Sequence, residues 1–428
     1  MSNNDYRKYG VFLLASGEKI SLEIPQHTPF NSSELNELFD NVEFNRNGTS
    51  SFTLKKGQGI KYIVIPSWQN PRWFIPHNKK IIQNIGNIIK PTTVKSRIIW
   101  GIAKLFNHID CIDLIFRDKI YIKESNLEKR YLKPFSASNT FVIYTGAPGI
   151  YQKFTVQEMS SSGKILAYFK FGLTSLTRER ISAEKSALTF LANTKFNTFK
   201  YPSLYDYYHV GRFSIIKQSP AELSYNTMIR EFKGLHQRVL EELNNKFSET
   251  IAKEHLIENL KKKVNIINNS DIDLINKAKN DISRGIEQLL KLLENQQTLK
   301  LSFSHGDFTP WNMFTNNVDL FIFDWEMADF RVQLFDFFNF IYHRNILLGK
   351  FSLNQIYKEL SFNKEWALSL LNSDTTYKTC HIFFLIDILA HYIEHYIIIQ
   401  KDGVNNKIEE LILKFNLALN YCLTSYSD

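Results

Sequence analysis

The chain has 428 residues, 44% of them hydrophobic, with 34 Phe and 20 Tyr against only 17 Gly and 11 Pro. That is apolar material enough for two or three packed domains, and it excludes a globally disordered chain. Net charge is +9, and the three cysteines, Cys111, Cys380 and Cys422, are odd in number and far apart, which excludes a disulfide framework and fits a reducing compartment, the cytoplasm.

From the N-terminus, Met1 to Gly10 is polar and lacks the apolar core of a signal peptide. Residues 10–24, GVFLLASGEKISLEI, predict two strands about a Ser-Gly turn, and Ile60 to Pro66 predicts a third. The Pro-punctuated SWQNPRWFIP follows, and Leu105 to Ile122 reads as apolar and partly extended. Residues 1–135 therefore form a mixed α/β leader of open role. They hold 20 Lys+Arg against 12 Asp+Glu, and Phe44 to Ile109 holds eleven Lys/Arg and no acidic residue, with Trp68, Trp73 and Trp100 among them.

Residues 136–220 predict a small antiparallel sheet with one inserted helix. FVIYTG, FTVQEM and ILAYFKF are three short strands, the last two joined by a Ser-Ser-Gly-Lys turn. In ISAEKSALTFLA, Ala183, Ala187, Phe190 and Leu191 recur at helical spacing; SLYDYY and RFSIIKQ are strands four and five. From residue 221 to 428 the pattern is helical: two or three long solvated helices over 225–300, a strand-turn-strand signature at 299–324, then helices from about 333. The predicted fold class is α+β and bilobal, a sheet lobe followed by a larger helical lobe. The most apolar stretch, Ile382 to Ile399, is interrupted by Asp387, His391, Glu394 and His395, which predicts a buried helix and no integral membrane segment.

The densest chemistry lies in SHGDFTPWNMF followed by LFIFDWE. Asn312 stands five positions after Asp307, and Asp324 twelve after Asn312, at the end of the apolar strand Leu320 to Phe323. Phosphoryl transfer needs such a division of labour: one carboxylate to orient an attacking hydroxyl, and a carbonyl-type oxygen plus a second carboxylate to hold Mg²⁺ on the nucleotide phosphates.

These residues resemble the motifs of the aminoglycoside phosphotransferase and choline kinase superfamily, whose fold is protein-kinase-like: His-Gly-Asp, four residues, Asn, then an apolar strand ending in Asp-Trp-Glu. The resemblance spans roughly residues 139–428. It implies ATP and Mg²⁺ as cofactors, Asp307 as catalytic base, Asn312 and Asp324 as metal ligands, and a small-molecule or sugar hydroxyl as acceptor. Lys170, closing strand three, and Glu184, fourteen residues later on the helix, match the pair that aims a lysine at the phosphates, with Glu179 as a nearby competitor. The turn TGAPGIYQK, with Gly146 and Gly149, falls where phosphates are covered, and Gln218 falls where the adenine pocket is expected. His305 and Asp336 take the places of residues that brace the catalytic loop.

Other signals are weaker. His391 and His395 with Glu394 fit an H-x-x-E-H zinc spacing, but no third ligand is marked; with Asp387 they are candidates for the acceptor pocket. The basic stretch 44–109 admits a phosphorylated or acidic glycan, or an anionic membrane surface; nucleic acid is not the expected partner. SWQNPRWFIP resembles, more loosely, a segment of kinases encoded among bacterial surface-polysaccharide genes, which points the acceptor towards a glycan precursor. Two alternatives stand beside the enzyme: a kinase-fold scaffold that binds nucleotide without turnover, and a protein whose basic leader does the work.

Overall fold

The computed structural model describes residues 60–65, 72–84, 94–109, 111–116, 119–122, 140–146, 151–222, 224–225, 227–267, 273–371, 375–399 and 406–425. The strands expected at 10–24, and the residues Trp68 and Gly149, lie outside these. The chain divides into two compact units, one of Glu23–Lys185 with Pro202–Pro220, the other of Met1–Leu22, Ser186–Tyr201 and Ala221–Asp428.

The first unit is built on strands β1 (Ile60–Ile65), β2 (Trp73–Pro76), β3 (Lys119–Ile122), β4 (Thr140–Tyr144), β5 (Phe154–Met159) and β6 (Ile165–Gly172). After β7 (Phe199–Lys200), which belongs to the other unit, come β8 (Leu204–Val210) and β9 (Phe213–Gln218). They form one sheet in the order β3-β1-β2-β4-β5-β6-β9-β8, antiparallel at every described pairing. Alternation assigns the faces. Phe141, Ile143, Phe154, Val156, Phe169, Phe171, Phe213 and Ile215 make one buried cluster. Ile63, Ile75, Val142 and Met159 belong to a second cluster, completed by Ile81 and Ile82 of the short helix Lys79–Gln83 and by Trp100 and Ala103 of the helix Val94–His108.

The reading of Leu105 to Ile122 as partly extended holds only at β3; Leu105 to His108 close the helix Val94–His108 instead. Trp100, Ala103 and Asn107 explain why. They recur at i, i+3 and i+7, all are buried, and the Asn107 amide donates to the Lys79 carbonyl at 2.8 Å. The inserted helix runs Ser175–Leu191, starting six residues before the expected Ile181. Its early start rests on the Thr177 hydroxyl, which accepts the N–H groups of Leu173 and Thr174 at 2.9 Å each.

The second unit carries the helices Gly234–Lys246, Lys253–Ile267, Asp273–Leu292, Phe335–His343, Leu353–Phe362, Lys364–Leu370, Tyr377–Ile399 and Asn406–Ser425. Two small sheets join them. One is β10 (Ser248–Ala252), β11 (Thr298–Ser304) and β14 (Asp329–Val332); the other is β12 (Met313–Thr315), β13 (Leu320–Ile322) and the parallel partner β7. Strand β10 stands where only helix was expected; it pairs with β11 from Ser248↔Ser302 to Ala252↔Thr298. Among the described residues one helix, Tyr377–Ile399, is long and apolar enough to cross a membrane, and 61% of its apolar window is buried in the protein. Asp387 on that helix is met by Lys263 and by the Arg331 guanidinium at 2.9 Å. Burial opposes its ionisation, but the two cations hold its carboxyl below the usual range.

Candidate active site

Strand β11 delivers the chain to His305, and the loop that follows is held from beneath by one carboxylate. Asp336, in the first turn of Phe335–His343, accepts the N–H of His305 at 2.6 Å and that of Gly306 at 2.9 Å. Asn339, one turn on, donates to the Gly306 carbonyl at 2.8 Å. Gly306 has φ +82°, and a Cβ there would lie 2.1 Å from the Met327 carbonyl oxygen, so only glycine fits. The His305 ring is fully buried. Its Nδ1 accepts the Asp307 N–H at 3.2 Å while Nε2 faces the Phe323 carbonyl at 3.0 Å, which assigns the proton to Nε2.

Asp307 and Asn312 interlock across the 3-10 turn Pro310–Asn312. The Asn312 amide nitrogen donates to the Asp307 backbone oxygen at 3.0 Å and to its Oδ2 at 2.7 Å. With its nitrogen so committed, Asn312 has Oδ1 left for a cation. The Asn312 carbonyl accepts the Phe323 N–H at 3.0 Å, tying this turn to the end of β13. Asp324 follows in the left-handed region, φ 71°, and the buried Trp325 behind it donates its indole N–H to the Ile322 carbonyl at 2.9 Å. Asp307 is raised above the usual carboxylate range, chiefly by burial, with the charges of Asp324 and Asp336 adding and the Asn312 amide opposing. Burial also pushes Asp336 up to about 6, against its two N–H donors. An amide oxygen and a carboxylate, set within reach of a second carboxylate's field, are hard donors of the kind that Mg²⁺ takes.

In the first unit Lys170 reaches Glu184 at 2.5 Å. Glu184 is fully buried, its other oxygen has no hydrogen-bond partner, and Glu179 is not the lysine's partner at this distance. Alternation along β6 puts Tyr168 on the same face as Lys170, and the register brings Gln157 and Gln218 beside Tyr168. Gln218 is buried with its side-chain oxygen unpartnered, and burial pushes the Tyr168 phenol up to about 12. Gly146 takes φ +75°, and a Cβ there would meet the Lys153 carbonyl oxygen at 2.5 Å, so the hairpin itself requires glycine. Gly149 lies outside the described residues.

A chain of polar groups absent from the sequence reading runs behind the loop. Asn339 donates to Gly306; the Asn339 carbonyl meets His343 Nδ1 at 3.0 Å; and His343 Nε2 meets the Tyr392 hydroxyl at 2.6 Å. His343 is buried and its pKa is lowered to about 4 by burial, so it is neutral, with Nδ1–H donating and Nε2 accepting from Tyr392. Burial pushes the Tyr392 phenol up, with the charge of Asp307 adding to it. His391, Glu394 and His395, on the same helix, are half-buried, the two imidazoles 6.4 Å apart between centroids. Among the described residues no group of three metal-ligating side chains gathers around them.

Residues 168–357 match the phosphotransferase enzyme family, APH. No curated protein matches the chain. Solved structures that resemble it include the amicoumacin kinase hAmiN in complex with AMP-PNP, Ca²⁺ and Ami, at 11% identity over 72% of this chain and 96% of that one, TM-score 0.44. A choline/ethanolamine kinase family protein from Mesorhizobium loti gives 12% identity over 66% and 88%, TM-score 0.45. The ADP-bound aminoglycoside phosphotransferase APH(2'')-Ib gives 16% over 69% and 95%, TM-score 0.42. The matched segment runs from Tyr168 to Tyr357 and takes in Lys170, Glu184, the His305–Asn312 loop, Asp324 and Asp336.

Proposed function

We propose that the chain is an ATP- and magnesium-dependent phosphotransferase, acting in the cytoplasm on a hydroxyl of a small molecule or sugar precursor. The observation that carries this reading is the Asp307–Asn312 interlock, in which one amide fixes the carboxylate that would face the acceptor. Asp307, raised by burial, is suited to accept a proton as the hydroxyl oxygen bonds to the terminal phosphorus and the nucleoside diphosphate leaves. Lys170, steadied by Glu184, would hold the phosphates, and the face carrying Tyr168 and Gln218 would receive the base. Asn312 Oδ1 and the Asp324 carboxylate would hold Mg²⁺, which neutralises phosphate charge when bound. His305 and Asp336 keep the loop in place without touching substrate.

The test is calorimetric titration with Mg·ATP, joined to an ATP-consumption screen over sugars, amino alcohols and aminoglycosides. Asp307→Ala is expected to lower turnover by about 10³-fold or more while nucleotide affinity stays within about threefold. Asp324→Ala is expected to remove the magnesium dependence of binding. Full turnover in Asp307→Ala would overturn its role as base, and no nucleotide binding in the unmodified protein would overturn the whole reading.

A further inference from the structure

A cavity of about 430 Å³ opens in the first unit between the helix Ser175–Leu191 and the hairpin of β8 and β9. The proposed phosphoryl transfer uses none of its lining groups. On the helix side Ser175, Arg178, Glu179 and Ser182 recur at i, i+3, i+4 and i+7, which is one face, while the buried Thr177, Ile181 and Glu184 take the other. On the hairpin side Tyr207 and His209 share a face of β8 by alternation, and Arg212 stands in the turn. The volume falls within the range of small-molecule sites, about 300–1,000 Å³.

Two of the cavity's donors are held in place by the protein itself. Arg178 Nη1 donates to the Leu173 carbonyl at 3.2 Å and to the Arg212 carbonyl at 3.1 Å. Both Nη1 hydrogens are then spent and the guanidinium is pinned, which leaves its Nε–Nη2 edge, a fork that grips two oxygens of one anion. His209 Nδ1 faces the Ser214 hydroxyl at 3.0 Å, and Ser214 is 1% exposed. With Ser214 donating, the ring hydrogen sits on Nε2. Lys185 Nζ lies 5.9 Å over the Tyr207 ring and adds a cation at the cavity's edge. One acid, Glu179, lines the cavity, and Arg178 and Arg180 offset its charge. Asp206, the one acid of β8, turns its carboxylate to the N–H of Tyr207 and is not among the lining residues. Donors that come from two walls suit the tetrahedral oxygens of a phosphate better than a planar carboxylate, which a single guanidinium edge saturates. The cavity is larger than a phosphate alone, and Glu179 offers the remainder of a ligand an acceptor for a hydroxyl.

We propose that this cavity binds a phosphate monoester of a small hydroxylated molecule, with Arg178, Arg212 and His209 on the phosphate and Glu179 on a hydroxyl. It uses none of the residues given to ATP and stands independently of the phosphotransferase reading.

The experiment follows the thermal midpoint of the full-length protein against glucose 6-phosphate, inorganic phosphate and glucose, with ionic strength held constant by sodium chloride. Glucose 6-phosphate is expected to raise the midpoint along a saturable curve, inorganic phosphate to do so only at about tenfold higher concentration, and glucose not at all. His209→Gln/Arg212→Gln keeps the bonds of Arg178 to the two carbonyls and should weaken the ester by about tenfold or more. Arg178→Gln should weaken it as strongly; because this variant also loses its bonds to Leu173 and Arg212, its own unliganded midpoint is the reference. No saturable rise with glucose 6-phosphate overturns the proposal. So does a rise that is unchanged in His209→Gln/Arg212→Gln, which would put the ester elsewhere on the protein. An equal response to phosphate and to its ester would mark an adventitious ion only, and overturns it as well.

Discussion

Asp336 illustrates how much one buried side chain can organise. Its two oxygens take the N–H groups of His305 and Gly306, so the direction in which β11 ends is set by a residue thirty positions on. The sharp bend this needs is available only because position 306 has no Cβ. Gly306→Ala would force φ +82° on an L-residue and drive a methyl to 2.1 Å from the Met327 carbonyl. A destabilisation of at least about 3 kcal/mol is expected, read in chemical denaturation; a cost below about 1 kcal/mol would mean that the loop relaxes freely. Asp307, Asn312 and Asp324 were legible from spacing because loop chemistry is local in sequence. Asn339, His343 and Tyr392 were not. In FDFFNFIYH the two polar residues read as ordinary members of a helix, and the partner of His343 lies forty-nine residues away.

At the scale of elements, β6 and the helix Ser175–Leu191 are joined by an ion pair whose acid has no water to turn to. Lys170 is 13% exposed and Glu184 not at all. Lys170→Met would leave that carboxylate buried without its cation, at a cost of about 3–5 kcal/mol. Lys170→Met/Glu184→Leu should recover most of the stability, because both charges are gone, but none of the nucleotide affinity. Melting temperature and ATP calorimetry on the two variants separate these outcomes, and full affinity in either variant would remove Lys170 from phosphate binding. The strand-helix-strand order here was legible because each strand pairs with a near neighbour. Strand β10 was not: its partner β11 begins forty-six residues after it ends, and helical patterns flank it on both sides. The end of Val94–His108 was misread for a related reason. A helix with two apolar faces has no polar period to announce it.

Across the whole molecule, charge is managed by keeping imidazoles neutral in the aromatic interior of the second unit. His236, His343 and His381 are buried, and burial lowers them to about 4, about 4 and about 3 from an ordinary 6.5. Their folded values lie below the unfolded one, so each stabilises the fold fully above pH 6.5 and progressively less as pH falls towards 4. Each contribution is at most on the order of 3 kcal/mol for His236 and His343 and on the order of 5 kcal/mol for His381. Asp336, raised to about 6, acts in the opposite sense, losing stability as pH rises through that value, and offsets part of the effect. Nitrogen-detected imidazole spectra at about pH 5 should show all three rings unprotonated; a midpoint near 6.5 for any of them would contradict its burial. The bilobal order of sheet and helices was legible throughout, whereas the continuity of the leading strands with the sheet was not, because it depends on Trp73↔Tyr144 and Phe74↔Ile143, pairs seventy residues apart. That continuity makes the molecule sensitive to clipping. A proteolytic cut that released β1 to β3 would strip β4 of its neighbour and lay bare a hydrogen-bonding edge whose Phe141, Val142 and Ile143 are all buried in the intact chain. Such an edge is a template for strand-to-strand self-association, so the basic leader also works as the sheet's guard against aggregation.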